Sequence, residues 1–188
     1  MKFTETPLHG AFIVEMEPSC DERGSFGRAF SAREFRERGL VGDLTEISIS
    51  HNLRRGTLRG MHYQSEPHAE TKLVRVTQGA AFDVIVDIRT GSPTWGRWFA
   101  LELTAKNGLA LYIPAGFAHG FLTLEDNTDI LYQITDTFHA GSATGFAWND
   151  SSVNIRWPQI PDVISSKDGA LPELSSEKLS NGNSGALK

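Results

Sequence analysis

The feature that most constrains this chain is a succession of short runs in which apolar and polar residues alternate with a period of two, each closed by a glycine- or proline-bearing turn. In the run from Ala81 to Arg89, Phe82, Val84, Val86 and Ile88 share one face and Asp83, Ile85 and Asp87 the other. It follows a run from Lys72 to Thr77 through the Gln78-Gly79 turn, and the pattern returns at Trp98 to Thr104, Leu109 to Ile113, Phe121 to Leu124 and Ile130 to Thr135. Residues 11 to 16 read as a first strand, and from Leu44 another sets Thr45, Ile47 and Ile49 against Glu46, Ser48 and Ser50, a polar face that suits either a wet cavity or open solvent. Ser31 with Glu34 is a capping-box pattern and Gly39 a stop signal, which together predict one helix over 32–38. About nine short strands and one helix cannot supply the crossovers of a parallel α/β sheet, so the expectation is all-β: an antiparallel jelly roll or small barrel. Trp148-Asn149-Asp150 and Arg156-Trp157-Pro158 are expected to pack a terminal strand against the body.

The eleven Phe and four Trp give enough apolar payload for one sizeable core. We expect a single domain over residues 1–175 and a flexible, Ser-, Asn- and Gly-rich tail over 176–188. Eighteen basic against 23 acidic residues leave a formal charge of -5 with no basic stripe, which disfavours nucleic acid while leaving room for a few arginines and lysines to hold a phosphate. Cys20 is the only cysteine, too few for an internal disulfide or a cysteine metal cluster. No run approaches the ~20 apolar residues that span a bilayer, and residues 1–7 have no signal-like apolar core, so a cytoplasmic protein with no membrane contact is expected.

The segment Gly56-Thr57-Leu58-Arg59-Gly60-Met61-His62-Tyr63-Gln64 carries the most suggestive chemistry. Simple alternation sends Arg59 and His62 to opposite faces, so both reach one pocket only if the strand bends, and Gly60 between them is where a bulge would fall. His62, Lys72, His119 and Tyr132, with a carboxylate to orient a histidine, would suit proton abstraction beside a carbonyl: an imidazole base, a phenolic donor and a cation for the enolate oxygen. Each also has a plain reading, as a satisfied core histidine or tyrosine or a strand-end lysine. The Asp21 to Arg28 segment is either a surface turn or an arginine-bearing loop facing an anion. No histidines pair closely in sequence, and neither a phosphate loop nor a dinucleotide fingerprint is present, so no metal and no cofactor are expected.

The 56–64 segment, Lys72-Leu73-Val74-Arg75, Phe82-Asp83-Val84, Asp87-Ile88-Arg89, Ser92-Pro93-Thr94, Ile113-Pro114 with Gly116 to Phe121, and Trp148-Asn149-Asp150 together resemble the dTDP-4-dehydrorhamnose 3,5-epimerase family over about residues 10 to 170. The resemblance implies a cupin-like jelly roll, a homodimer, and metal-free, cofactor-free epimerisation at C3, C5 or both of a nucleotide-linked 4-keto-6-deoxyhexose. Its alternatives are a 5-epimerase of a CDP-linked 3,6-dideoxy-4-hexulose, a single-position dTDP-sugar epimerase, and a non-catalytic sugar-nucleotide binder. It implies His62 as general base with Asp168 orienting it, Lys72 on the enolate oxygen and Tyr132 as opposite-face donor. Arg59 and His119 match binding or enolate-supporting positions, and Arg23, Phe26, Gln64 and Phe138 fall in the implied nucleotide-sugar pocket. Phe138, Ala143, Glu46, Ser48 and Glu70 depart from the family's usual residues, which implies altered recognition of base and sugar.

Overall fold

The computed structural model describes residues 1–174, so the tail expected at 176–188 lies outside the described residues. β1 (Lys2–Glu5) and β2 (Phe12–Glu15) pair as neighbours, β3 (Ser19–Asp21) and β4 (Gly24–Phe26) form a separate ribbon, and α1 (Ala32–Arg36) follows. The body is β5 (Glu46–Asn52), β6 (Thr57–Gln64), β7 (Lys72–Gln78), β8 (Ala80–Asp87), β9 (Trp98–Thr104), β10 (Leu109–Ile113), β11 (Phe117–Thr123) and β12 (Thr128–Ile134). β13 (Ala143–Gly145), β14 (Val163–Ile164) and α2 (Ser166–Gly169) complete it. One sheet runs β1-β2-β10-β7-β12-β5 and the other β13-β6-β11-β8-β9, antiparallel throughout except that β14 lies parallel to β6. This is the expected jelly roll. The strands beyond the expected set, β1, β3, β4, β13 and β14, have four residues or fewer, too few to display a period.

Three layers of apolar contact hold it. Val74 and Val76 from β7, Leu111 and Ile113 from β10 and Ile130 from β12 meet Ile85, Leu103, Phe117 and Phe121 of the opposite sheet in the central core. The outer face of the first sheet, Leu73, Ala110 and Tyr112, is covered by Phe35 of α1. That helix ends at Arg36, shorter than expected, and only half of the capping box forms: Ser31 Oγ accepts from the Glu34 N–H at 3.4 Å, while the Glu34 carboxylate turns to the Met1 ammonium at 3.1 Å. A full charge outcompetes a backbone amide for that carboxylate. The outer face of the second sheet, Met61, Val84, Val86 and Ala118, is covered by Phe146, Val153, Ile155 and Trp157. The expected terminal strand at Trp148 to Pro158 is instead irregular chain, pinned by the Trp157 indole N–H donating to the Trp148 carbonyl at 2.8 Å. Trp157 packs against the outer core as expected, and the segment lies over the sheet face without pairing to a strand.

The bend demanded at Gly60 is present. His62 pairs with His119 and Arg59 with Phe121, so two residues of β6, Gly60 and Met61, oppose the single Gly120 of β11. The peptide between Gly60 and Met61 is cis. Met61 is sent into the outer core while Arg59 and His62 both face inward, Arg59 donating to Asn52 of β5. Glycine is required on both strands here: Gly60 has φ +139°, and a Cβ on it would stand 2.6 Å from the Gly120 Cα. Replacing Gly60 by alanine is therefore expected to destabilise the fold by about 2–5 kcal/mol in urea unfolding. Gly141→Ala, where an added Cβ meets nothing within 4 Å, is expected to leave the midpoint almost unmoved.

Candidate active site

The bulge positions the first dyad directly. His62 Nε2 lies 2.8 Å from Asp168 Oδ1, and the Gly60 N–H is directed to the other oxygen, Oδ2, at 3.3 Å. The carboxylate is delivered by the parallel pairing of β14 with the start of β6, which sets α2 beside the histidine. Ser165 caps that short helix, its Oγ accepting from the Asp168 N–H at 3.0 Å. An ionised carboxylate can only accept, so the His62 proton sits on Nε2 and Nδ1 keeps a lone pair. Asp168 is buried, whereas the His62 side chain remains 43% accessible, which leaves the imidazole open to a reactant.

A second dyad stands beside the first on β11. His119 Nε2 is 2.9 Å from Asp83 Oδ2, both residues are buried, and the His119 ring meets the Tyr132 ring edge-on at 5.7 Å. Tyr132 comes from β12 of the facing sheet, so this contact crosses the sandwich. Burial pushes the Tyr132 phenol far above its ordinary value and the Asp83 charge adds to this, with Arg59 opposing; the group is held protonated. Lys72, buried at the start of β7, places Nζ 2.9 Å from Glu70 Oε1. Arg59 is steered by its Nε–H, which donates to Asn52 Oδ1 at 2.9 Å, and Asn52 is itself fixed by donating to the Thr128 carbonyl at 3.0 Å.

Four expected residues thus join His62 in one pocket: Asp168, Lys72, His119 and Tyr132, with Arg59 at its edge. Gln64 is nearby but buried, and its amide is engaged within the chain: Oε1 accepts from the His139 N–H at 2.7 Å, and Nε2 donates to the His68 carbonyl and to Glu70. Arg23 and Phe26 stand apart on the β3–β4 ribbon, Arg23 paired with Asp21 and Phe26 85% exposed. Phe138 is exposed on the segment after β12. The residues that sequence reasoning passed over are Asn52 and Asp83. Asp83 carried a signal, an acid at an inward position of an otherwise apolar strand; Asn52, at a strand end, carried none.

The electrostatics fix the sign of a pH effect. Burial lowers the His62 pKa below its ordinary value of about 6.5, the hydrogen bond and charge of Asp168 oppose this, and Lys72 and His119 reinforce it. The neutral imidazole therefore persists to acid pH, and activity that draws on it should be lost only as pH falls below that ordinary value. In Asp168→Asn both raising contributions vanish, so the acid limb of kcat/KM is expected to move lower while the plateau falls about 100-fold or more. An acid limb displaced upward would contradict the orienting role.

The profile of the dTDP-4-dehydrorhamnose 3,5-epimerase family matches residues 5–176. The chain is 44% identical over 175 residues to the dTDP-4-dehydrorhamnose 3,5-epimerase of Sinorhizobium fredii, covering 93% of this chain and 90% of the relative. The structure of the Bacillus anthracis dTDP-4-dehydrorhamnose 3,5-epimerase, solved with TDP and PPi bound, superposes with a TM-score of 0.89 at 38% identity, covering 92% of this chain and 99% of that one. The Legionella pneumophila dTDP-6-deoxy-D-glucose-3,5-epimerase, in complex with dTDP-4-keto-L-rhamnose, gives a TM-score of 0.86 at 37% identity over 92% of each chain. With the fold and the matched length in agreement, the chain belongs to the dTDP-4-dehydrorhamnose 3,5-epimerase family.

Proposed function

We propose that this member of an epimerase family inverts carbons beside the 4-keto group of a nucleotide-linked 6-deoxyhexose, with His62 as the base and Tyr132 as the acid. The observation that carries this reading is the placement of an oriented imidazole on β6 and a protonated phenol on β12, on facing sheets of one sandwich. The ketone acidifies the neighbouring C–H; His62 Nδ1 takes that proton and the C–H electron pair becomes an enolate. Tyr132 returns a proton to the opposite face of the carbon, which inverts it. Lys72 stabilises the enolate oxygen, with the His119–Asp83 dyad beside it, and Arg59 holds the diphosphate. None of these steps calls for a metal or a redox cofactor. The nucleotide is proposed to be dTDP, as in the relatives' names, with Arg23, Phe26, Gln64 and Phe138 contributing to its pocket. The unit is one domain over residues 1–175, acting in the cytoplasm.

Incubation in deuterated water with dTDP- and CDP-linked 4-ketosugars is expected to show exchange at C3, C5 or both, and product NMR distinguishes one inversion from two. His62→Ala should lower exchange about 10²- to 10⁴-fold with nucleotide affinity nearly unchanged. Near-normal exchange in that variant would remove His62 as the base, and no exchange with any substrate would remove epimerisation.

A homodimer is part of the same proposal. Ile47 and Ile49 stand 64% and 66% exposed on the outward face of β5, the edge strand of the six-stranded sheet, with Leu53 exposed at its end. An apolar row on a free edge is a surface that a second copy would cover. Ile47→Asp with Ile49→Asp is expected to convert the wild-type dimer to monomer in sedimentation velocity; a wild-type monomer would refute the proposal.

A further inference from the structure

Outside the pocket, the structure brings a histidine against a carboxylate 68 positions away and a second histidine close to that carboxylate in sequence, three side chains of metal-ligating type. The β7–β12 register sets Ile134 opposite Lys72, and the Thr135 N–H extends the ladder by donating to the Thr71 carbonyl at 3.1 Å. Continued past the sheet, that register brings His68, in the β6–β7 connection, against Asp136 and His139, in the segment after β12. One ligand atom from each of these residues lies within 4.8 Å of the other two.

The spacings within this cluster differ from those of the two histidine–carboxylate dyads. His62–Asp168 and His119–Asp83 are hydrogen bonds of 2.8 and 2.9 Å, whereas His68 Nδ1 is 3.4 Å from Asp136 Oδ2 and His139 Nε2 is 4.0 Å from Asp136 Oδ1. Bonds of about 2.0–2.1 Å to a tetrahedral zinc ion put neighbouring ligand atoms about 3.3 Å apart. The cluster is thus spaced closer to a coordination polyhedron than to a proton-sharing pair. Its frame is fixed by one buried amide: Gln64 accepts from the His139 N–H at 2.7 Å and donates to the carbonyls of His68 and Thr137 at 3.1 Å each. The two rings lie stacked, 3.4 Å between centroids and 17° apart, so they must splay for both lone pairs to meet one ion. Side-chain accessibilities of 34% and 38% leave room for that rotation, in which His139 gives up its 2.9 Å contact with the Thr137 hydroxyl.

We propose that His68, Asp136 and His139 form a binding site for a borderline divalent transition-metal ion, of which Zn²⁺ is the type, completed by solvent. Two imidazoles and one carboxylate suit zinc and disfavour Mg²⁺ and Ca²⁺, which require oxygen ligands. The site is independent of the acid–base assignment. It clamps the β6–β7 connection to the segment that carries Phe138.

The test is calorimetric titration of the full chain with Zn²⁺ and with Mg²⁺, repeated on His68→Ala, His139→Ala and His62→Ala, each checked for native far-UV dichroism. One saturable site for Zn²⁺ and none for Mg²⁺ is expected, with affinity at least tenfold weaker in His68→Ala and in His139→Ala and unchanged in His62→Ala. Thermal unfolding should show Zn²⁺ raising the Tm of the wild type but not of the two cluster variants. The proposal is overturned by absence of a saturable site, by binding that survives both cluster substitutions, or by binding that His62→Ala abolishes.

Discussion

Everything in the pocket depends on the contact between Gly60 and Gly120, where β6 and β11 approach too closely for either to carry a side chain. A Cβ at Gly60 would meet the Gly120 backbone at 2.6 Å, and one at Gly120 would meet Met61 Sδ at 2.6 Å and the Arg59 carbonyl at 2.9 Å. The bulge at this contact has two effects. It resets the side-chain alternation, so that Arg59 and His62 share the inner face, and it directs the Gly60 N–H to Asp168. The same backbone irregularity that turns His62 inward therefore supplies a donor to its carboxylate partner.

A second regularity is that both imidazoles and the lysine of the pocket have their own carboxylates: Asp168 for His62, Asp83 for His119 and Glu70 for Lys72. Buried cations and imidazoles without such partners would pay heavily in desolvation, and their protonation states would drift. Pairing them separately keeps two imidazoles and an amine within one pocket. The arrangement also leaves Asp83 Oδ1 without a hydrogen-bond partner among the described residues, and the Asp83 charge helps to hold the Tyr132 proton.

Much of this was legible in the sequence, and the limits have physical causes. Long alternating runs such as Phe82 to Ile88 read correctly because both periodicity and burial act over many residues. The bend at Gly60 was legible as a contradiction, since two functional side chains could not otherwise meet. Asp168 was reachable only through the family resemblance: a lone acid in a polar turn has no period, and its meaning comes from a parallel pairing 106 residues away. The polar face of β5, which alternation left open between a wet cavity and open solvent, has Ser48 beside Tyr132, with the isoleucines outward. His68 and His139 escaped notice for a related reason. Metal motifs are sought at close spacing, while an antiparallel register can join residues 71 positions apart.

The two classes of residue in this protein hang on different supports. His62, His119, Lys72 and Tyr132 sit on hydrogen-bonded strands whose registers fix one another, whereas Arg23, Phe26 and Phe138 sit on a detached ribbon and an open segment. Substitutions in the second group leave the ladders of the two main sheets and the three carboxylate pairings of the pocket untouched. Over evolutionary time such a chassis can vary its periphery by drift while the histidines, lysine and tyrosine anchored in its strands are inherited whole.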